Sequence, residues 1–260
     1  MAYDDILVET DDHVQVVTIN RPEARNSLTH HTYAEMEEVV RSTTARCLVI
    51  TGADPGGFCA GDDVKQVMAN PDNKPGERLA RDPRTTPLAD ALLTTDVPVI
   101  AAVNGAAVGW GMELALMADI RVASAEQAKF GELFVLRGLN CDVAGLGRLA
   151  GAVGRERAAE MLFTGDVIDA ATAHEIGLVS RVVTHDDLVP TATALAQRIA
   201  ANPPLAVQAI KQGLRTALDP DWDALGRWVS TNLARLFTTN DHKEGVASFL
   251  EKRPPQYTGS

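Results

Sequence analysis

The sequence predicts an α/β protein with a largely parallel sheet, followed by a helical C-terminal region. Two short apolar runs typical of buried strands, residues 46–51 and 98–103, are each followed by a glycine-rich turn and a helical pattern. Such βα alternation indicates parallel strands joined by right-handed crossovers. From Gly154 onward the chain is predicted to be mainly helical. A core that contains the sheet is therefore followed by a helical part.

The N-terminal elements are predicted as a hairpin and a helix, and an irregular segment follows farther along. Residues 6–9 and 14–20 have the alternation of two paired strands, and a helix lies near residues 32–41. Residues 70–87 are rich in Pro, Asn, Asp and charge. We expect this segment to be either a mobile flap over a bound substrate or a plain disordered linker.

The chain after the second glycine-rich turn is predicted to pass from strands to helices. A short strand covers residues 121–123, and KFGELFVLRGL at residues 129–139 forms an extended edge. Five helices are expected, at residues 155–163, 170–176, 188–201, 203–218 and 222–238. A boundary near Leu188 would separate a core domain, residues 1–187, from a C-terminal helical domain, residues 188–260.

Composition and charge limit the classes of function. With 260 residues, 45% of them hydrophobic and 23% charged, the chain has the composition of a globular protein with one large core. A net charge of −11 argues against a nucleic-acid partner, which usually meets a basic surface. The chain contains neither a long apolar run nor a charged-then-apolar leader, so we expect no membrane span and a cytoplasmic protein.

The cysteines and histidines carry little chemical signal. Cys47, Cys59 and Cys141 are an odd number without metal-ligand spacing, so we expect reduced, mostly buried thiols. His174, His185 and His242 are isolated in the sequence, so neither a metal site nor a catalytic triad has support.

The most informative segment is residues 98–124, in which a strand, a glycine-rich turn and a helix follow one another. The free N–H groups at such a helix start can face a ligand oxygen, and the helix dipole favours negative charge there. Glu113 stands in the first turn as a candidate proton carrier. The alternatives are glycines that only allow close packing and a glutamate that only favours the helix start.

A second segment, residues 47–67, repeats this layout and is predicted to open a helix at Asp62-Asp63. Two such turns could each place one backbone N–H beside the same carbonyl oxygen. That arrangement is an oxyanion hole.

Four motifs together resemble the enoyl-CoA hydratase/isomerase (crotonase) superfamily: NRPEARNSLT, FCAGDDV, NGAAVGWGMELALMADI and LFTGDVIDAATAHEIGLVSRVV. The resemblance runs from about Val14 to the C-terminus. It implies a crotonase-like ββα superhelix, or spiral, core and an acyl-CoA thioester substrate, with no cofactor because coenzyme A is part of the substrate. It also implies a homo-oligomer, a trimer or a dimer of trimers, whose C-terminal helices cover the active site or join the subunits.

The resemblance implies an oxyanion hole formed by the backbone N–H groups of Asp62 and Trp110. Trp110 departs from the family's usual glycine at this position, so its indole should reshape the acyl pocket. Arg25 is the candidate contact to a CoA phosphate, with a solvated surface arginine as the alternative. The implied residues that bind the substrate are Arg25, Ala60, Asp63, Val64, Gly109, Phe134, Phe249 and Lys252.

The groups that would transfer protons are Glu113, Glu132 and Asp142. Glu113 matches the glutamate that activates water in family hydratases, but the second family glutamate falls at Phe134. Either Glu132, which would share a face with Phe134 on an extended segment, replaces it, or this carboxylate is absent. Asp142 occupies the position of an aspartate in family isomerases, where one carboxylate moves a proton between two carbons. Alternatively, Asp142 only caps the following helix.

Three functions are weighed against these residues. Hydration of an α,β-unsaturated acyl-CoA is expected first, and double-bond isomerisation with a single carboxylate is the alternative. A catalytically silent CoA-thioester-binding subunit would keep the oxyanion donors without a competent acid or base. A dinucleotide-binding oxidoreductase is disfavoured, because Gly105, Gly109 and Gly111 do not have G-x-G-x-x-G spacing.

Overall fold

The computed structural model describes residues 3–68 and 74–260 of the chain. Its strands are β1 (Ile6–Asp11), β2 (Val14–Ile19), β3 (Cys47–Gly52), β4 (Val99–Val103), β5 (Ala106–Val108), β6 (Ile120–Ser124), β7 (Lys129–Gly131), β8 (Ile168–Asp169) and β9 (Arg181–Val183). Its first helices are α1 (His30–Ser42), α2 (Pro75–Arg81), α3 (Pro87–Thr94), α4 (Trp110–Met117), α5 (Val143–Gly147), α6 (Leu149–Val153) and α7 (Arg155–Thr164). The remaining helices are α8 (Ala170–Glu175), α9 (Leu188–Ala200), α10 (Pro204–Leu218), α11 (Trp222–Leu236) and α12 (Asn240–Glu251). Short 3-10 helices at Pro22–Ala24 and Leu133–Arg137 and a π-helical turn at Val64–Met68 complete the structure of the described residues.

The main sheet has six strands in the order β1-β2-β3-β4-β6-β9. Only the β1–β2 hairpin is antiparallel, and every other neighbouring pair is parallel. The largely parallel sheet predicted from βα alternation is therefore confirmed. A second, three-stranded sheet in the order β5-β7-β8 lies beside it, and the sequence pattern did not predict it.

The main sheet is covered on both faces, which is why β3 and β4 are fully buried apolar runs. Successive side chains of a strand point to opposite faces. Leu48 and Ile50 of β3 join the cluster formed with α1, α3 and α4, whereas Val49 joins a second cluster with α9.

Helix α9 contacts the main sheet through one small-residue face. Its side chains Leu188, Ala192, Ala196 and Ala200 recur every four residues and are buried against the sheet. The predicted domain boundary near Leu188 coincides with the start of this helix. The division of the chain into a core domain and a C-terminal helical domain stays a prediction.

Helix α1 begins two residues earlier than the sequence pattern predicts, because Thr29 and Thr32 form a reciprocal cap. The Thr29 hydroxyl accepts the Thr32 N–H at 3.2 Å, and the Thr32 hydroxyl accepts the Thr29 N–H at 3.1 Å. His30 and His31 therefore lie in the first turn of the helix.

The predicted irregular segment at residues 70–87 contains a helix. Helix α2 occupies Pro75–Arg81, and a proline in its first turn favours that start. The expectation of a plain linker is wrong for these seven residues. Residues 70–73 lie outside the described part of the chain.

The extended edge predicted at residues 129–139 is wrong beyond Gly131. Strand β7 ends there, and the 3-10 helix at Leu133–Arg137 follows. Glu132 is the residue before this helix and Phe134 lies within it. These two side chains therefore do not share the face of a strand.

The C-terminal region is helical, as predicted, with α12 as an additional helix. In residues 3–68 and 74–260, no helix is both long and apolar enough to cross a membrane. The three cysteines are free and buried, which confirms the expectation of buried thiols.

Two buried asparagines fasten the loop that leads from β3 toward the candidate active site. The Asn26 amide donates to the carbonyls of Ala53 at 2.9 Å and Gly57 at 2.6 Å. The Asn104 amide donates to the carbonyl of Gly52 at 2.8 Å, and its oxygen accepts the Gly52 N–H at 3.2 Å. These bonds satisfy loop groups that neither sheet can pair.

Asn26→Gly tests how strongly this loop is held. Glycine tolerates the left-handed φ of 54° at this position but leaves two carbonyls without their donors. We expect the free energy of unfolding in urea to fall by about 2 to 4 kcal/mol. Asn202→Gly, at an exposed position, is the control and should cost about 1 kcal/mol or less. Equal losses would show that Asn26 does not hold the loop.

Candidate active site

The two predicted glycine-rich turns lie side by side because the chain pairs them directly. Cys59 and Ala107 form a parallel bridge in which the Cys59 N–H donates to Ala106 O at 2.9 Å and the Val108 N–H donates to Cys59 O at 3.1 Å. Asp62 and Trp110 each lie three residues beyond this bridge. The expectation that the two turns approach each other is therefore confirmed.

The approach depends on glycines at the contact. A Cβ on Gly61 would lie 3.0 Å from the Trp110 nitrogen, and a Cβ on Gly111 would collide with the Cys59 carbonyl oxygen. In the described part of the chain, neither the Asp62 N–H nor the Trp110 N–H donates to a protein acceptor. Two unpaired donors at neighbouring turns are what an oxyanion hole requires. Their role as that hole stays a prediction.

A cavity of about 410 Å³ opens over these turns. Asp62, Trp110, Phe134, Leu139 and Asp142 form one side of it. Helix α1, Val67, the segment around α2 and α3, and helix α11 with the following Phe237 supply the rest of the lining. The segment predicted as a flap therefore borders the cavity, and so does a C-terminal helix. A mostly apolar cavity with a few polar groups is typical of a small-molecule site.

Tyr33 connects the side chains of the two oxyanion candidates. Its hydroxyl donates to Asp62 Oδ1 at 2.7 Å, and its ring meets the Trp110 ring edge-on with the centroids 4.7 Å apart. Burial, followed by the nearby Asp62 carboxylate, raises the pKa of Tyr33 well above its ordinary value. Burial also raises the pKa of Asp62 to about 6, although the Tyr33 hydrogen bond opposes this shift.

Asp142 is both a helix cap and a wall of the cavity. Its Oδ1 accepts the Val143 N–H at 2.8 Å at the start of α5, and its Oδ2 accepts the indole N–H of Trp110 at 3.0 Å. Burial raises the pKa of Asp142, and these two donors oppose the shift. The capping role considered from the sequence is confirmed, and the same carboxylate borders the cavity.

Glu113 is fully buried one turn into α4. Its Oε2 accepts the N–H groups of Ala144 at 2.8 Å and Gly145 at 2.9 Å, both in the first turn of α5. Burial, then the charge of Asp142, raises the pKa of Glu113 well above its ordinary value. Oε1 of Glu113 has no hydrogen-bond partner among the described residues.

Glu132 is buried beside Glu113 and has fewer hydrogen-bond donors than Glu113. Within the described chain, neither of its carboxylate oxygens has a hydrogen-bond partner. Burial is the main cause that raises the pKa of Glu132 well above its ordinary value, and Glu113 and Asp142 add to it. A Cβ on Gly145 would lie 2.7 Å from Glu113 Oε1 and 3.0 Å from Glu132 Oε1. The two glutamates therefore adjoin the same point of the core.

The three predicted carboxylates are brought into one cluster, but they differ in access to the cavity. Asp142 lines the cavity, whereas Glu113 and Glu132 lie outside its lining. Phe134, which stands where the second family glutamate was expected, does line it. Of this cluster, the cavity therefore reaches only the Asp142 carboxylate. Where the second family glutamate was expected, the cavity meets the Phe134 ring.

Apart from Phe134, which lines the cavity, the predicted binding residues fall into two groups. Ala60, Asp63, Val64 and Gly109 lie in or next to the paired turns, and the Ala60 N–H donates to the Arg25 carbonyl at 3.2 Å. These four residues and the Arg25 backbone thus adjoin the oxyanion candidates.

Phe249 and Lys252 are at the end of α12, outside the cavity lining. The Arg137 guanidinium lies 4.1 Å from the centre of the Phe249 ring. Arg25 has an exposed side chain at a left-handed φ of 56°. Substrate binding by these three side chains stays a prediction.

Comparison with known proteins identifies the family. The family model for enoyl-CoA hydratase/isomerase matches residues 9–260, nearly the whole chain. The chain belongs to the enoyl-CoA hydratase/isomerase family. This confirms the resemblance carried by its four motifs, and the chain is an acyl-CoA enzyme of this family.

Relatives of this enoyl-CoA hydratase/isomerase family member include a hydratase and an isomerase. A crotonyl-CoA hydratase of Syntrophomonas wolfei is 36% identical over 261 residues, which cover 99% of each chain. A 1,2-epoxyphenylacetyl-CoA isomerase of Escherichia coli is 37% identical over 264 residues, which cover 98% of each chain. The crystal structure of an enoyl-CoA hydratase/isomerase from Pseudoalteromonas atlantica superimposes with a TM-score of 0.88 at 29% identity, covering 98% of this chain and 100% of that chain. The crotonase fold is confirmed.

Sequence reasoning missed several residues of the cavity. Tyr33 carried no motif, and its place depends on how α1 packs across the paired turns. Val229 and Leu233 of α11 border the cavity from a distant part of the chain. Their spacing of four along one helix face is the only sequence signal that they offered.

Glu132→Gln tests the buried carboxyl cluster. Because the folded-state pKa of Glu132 lies above its ordinary value of 4.5, the folded protein retains a proton that the unfolded chain releases. The contribution of Glu132 to the free energy of unfolding is complete at low pH. It is lost as the pH rises toward the folded-state pKa of Glu132, by up to about 1.4 kcal/mol per pH unit. The variant cannot release this proton, so its free energy of unfolding should fall less steeply between about pH 5 and about pH 8.

Urea unfolding at several pH values measures this slope. Glu160→Gln, an exposed position on α7, is the matched control and should keep the slope of the wild-type protein. A slope in Glu132→Gln as steep as that of the control would mean that Glu132 is ionised in the folded protein.

Proposed function

We propose that this enzyme isomerises the double bond of an enoyl-CoA, with Asp142 as the single group that removes and returns the proton. The observation that supports this choice is access: of the three clustered carboxylates, Asp142 alone belongs to the cavity lining. A group must come within hydrogen-bond reach of the proton that it abstracts. Glu113 and Glu132 are not among the residues that line the cavity.

In the proposed reaction, the thioester carbonyl accepts hydrogen bonds from the N–H groups of Asp62 and Trp110. When Asp142 takes a proton from the acyl chain, the C–H electron pair moves into the conjugated system and the carbonyl oxygen becomes an enolate. Donors already aimed at that oxygen stabilise it, and each typically contributes on the order of 3 kcal/mol. The negative charge of the Asp142 carboxylate passes to the enolate oxygen, so the net charge of the site does not change.

Asp142 then returns the proton to a different carbon, which places the double bond in its new position. Burial, which raises the pKa of Asp142, brings the carboxyl closer to the range in which one group can both accept and donate a proton. The Val143 and Trp110 donors keep its charged form accessible. A single carboxylate therefore completes the reaction.

Hydration is the second candidate function, and it was the first expected from the sequence. Two observations favour it: the oxygens of Glu113 and Glu132 adjoin the same point next to Gly145, and a relative 36% identical is a crotonyl-CoA hydratase. This reaction would need water and substrate to reach Glu113 and Glu132, which are not among the residues that line the cavity. A silent CoA-binding subunit would use neither arrangement.

Mass spectrometry of reactions in heavy water tests the proposal. Crotonyl-CoA, its β,γ-unsaturated isomer and a longer-chain pair of isomers are incubated with the wild-type protein, Asp142→Asn and Glu113→Gln. Chromatography before the mass spectrum separates the two isomers, and we expect the wild type to convert one into the other, with deuterium incorporated only as far as Asp142 exchanges its proton with solvent between the two steps. The rate of the double-bond shift should fall at least about 100-fold in Asp142→Asn and be retained in Glu113→Gln.

Asp166→Asn, at an exposed position, is the matched control and should react like the wild type. A water adduct that disappears in Glu113→Gln would instead establish the hydratase. No change in any substrate would contradict both reactions and favour the silent binder.

We also propose that the enzyme works as a cytoplasmic homo-oligomer, a trimer or a dimer of trimers. Ile210, Leu214 and Leu218 recur every four residues along α10 and are exposed, so this helix offers an apolar face to a second copy of the chain. Free, buried cysteines fit a reducing compartment. Analytical ultracentrifugation should give a mass of three or six chains, and the mass of a single chain would contradict the proposal.

A further inference from the structure

Trp110 brings two different groups to the same cavity. Its backbone N–H lies beside Gly61 and the Asp62 turn, and its indole N–H donates to Asp142 Oδ2 at 3.0 Å. The side chain is only 3% exposed although it borders the cavity. One residue therefore contacts both the candidate oxyanion hole and the candidate base.

We propose that Trp110 is a positioning residue, whose indole N–H holds the Asp142 carboxylate in a fixed place relative to the oxyanion-binding N–H groups. This inference rests on the proposed function, because it specifies how the single carboxylate is aimed. It assigns to the indole a role that a glycine at this position could not perform.

The geometry of Asp142 supports this role. The Trp110 indole holds one carboxylate oxygen and the Val143 N–H holds the other, so the plane of the group is fixed. Each oxygen retains a further lone pair. One of these can form the O–H bond as the substrate C–H bond breaks and its electron pair moves to the enolate. The same O–H bond breaks when the proton returns to another carbon.

The indole is itself braced. The Tyr33 ring meets it edge-on, with an angle of 82° between the planes. The Tyr33 hydroxyl donates to Asp62 Oδ1 at 2.7 Å, so the brace is anchored on the other oxyanion residue. A continuous series of contacts thus runs from Asp62 through Tyr33 and Trp110 to Asp142. Movement of the indole would break at least one of them.

Trp110 is the first residue of α4, where the backbone N–H has no acceptor within the helix. This free N–H and the indole belong to the same residue. The separation between the enolate oxygen and the base is then set within one residue and its contacts. Proton transfer is sensitive to such distances, since a small misplacement lowers the rate by a large factor. The indole hydrogen bond converts a helix cap into an aimed base.

The same bond favours the ionised form of Asp142, which is the form that takes up a proton. The acidic groups that face Asp142 are Asp62, Tyr33, Glu113, Glu132 and Cys141. The charged or titratable side chains elsewhere in the cavity lining are His30, Glu37, Arg78, Asp82 and Arg84. Since the indole N–H opposes the effect of burial, its removal should raise the pKa of Asp142.

The experiment removes the indole N–H in two ways. Trp110→Phe deletes it together with part of the ring, and replacement of the Trp110 indole by benzothiophene deletes it while keeping the shape. In each variant we expect kcat/KM for isomerisation to fall about 10- to 100-fold, mainly through kcat. The acidic limb of the kcat/KM profile should move to higher pH by about one to two units.

Trp222→Phe is the matched control. It also loses an indole hydrogen bond to an aspartate, at 3.2 Å to Asp219 Oδ2, but it lies outside the cavity lining. Its kcat/KM and its acidic limb should remain within about twofold and a few tenths of a pH unit of the wild-type values.

A carbon-13 NMR titration of the Asp142 carboxyl gives a readout that does not need activity. Asp142→Asn identifies the signal by removing it. An unchanged Asp142 titration in both Trp110 variants, or an equal shift in Trp222→Phe, would overturn the inference. Absence of a double-bond shift in the wild-type protein would contradict the proposed function, whereas the titration would still decide whether the indole holds Asp142.

Discussion

The parallel pairing of Cys59 with Ala107 is the contact on which the candidate active site depends. It joins two turns that are distant in sequence, and it places Asp62 and Trp110 at matching positions beyond the bridge. Glycine at position 111 is required because any side chain there would collide with the Cys59 carbonyl. The position of the oxyanion candidates is therefore a property of the backbone, which is why they can belong to such different residue types as Asp and Trp.

The electrostatic consequence of this packing is a cluster of carboxyl groups in the core. Glu113 and Asp142 each receive backbone N–H donors from the first turn of α5, but no such donor among the described residues reaches Glu132. Burial without donors favours a neutral carboxyl group. The cluster therefore combines carboxylates that the helix start stabilises with a glutamate whose raised pKa favours the neutral form, and of the three only Asp142 borders the cavity.

The sequence predicted what depends on local pattern and missed what depends on distant contacts. The parallel strands and both glycine-rich turns follow from apolar runs and glycine spacing. The positions of Glu132 and Phe134 could not be predicted from such patterns, because the chain leaves the extended conformation at Gly131 and turns into a 3-10 helix. Tyr33 became part of the site only through the packing of α1 against the turns. No periodicity within one segment reports such a contact.

The main-chain N–H and the side chain of Trp110 have different neighbours, and this affects how the reaction of such an enzyme can change by substitution. Its main-chain N–H would be supplied by any residue except proline, so a donor at the proposed oxyanion hole would survive almost any substitution there. Its side chain, by contrast, meets the carboxylate that would move the proton. At this one position, the main-chain N–H is the part of the chemistry that relatives can hold in common. The side chain is the part that can distinguish one reaction from another. A substitution at position 110 can therefore change the contact to Asp142 while a main-chain donor stays in place.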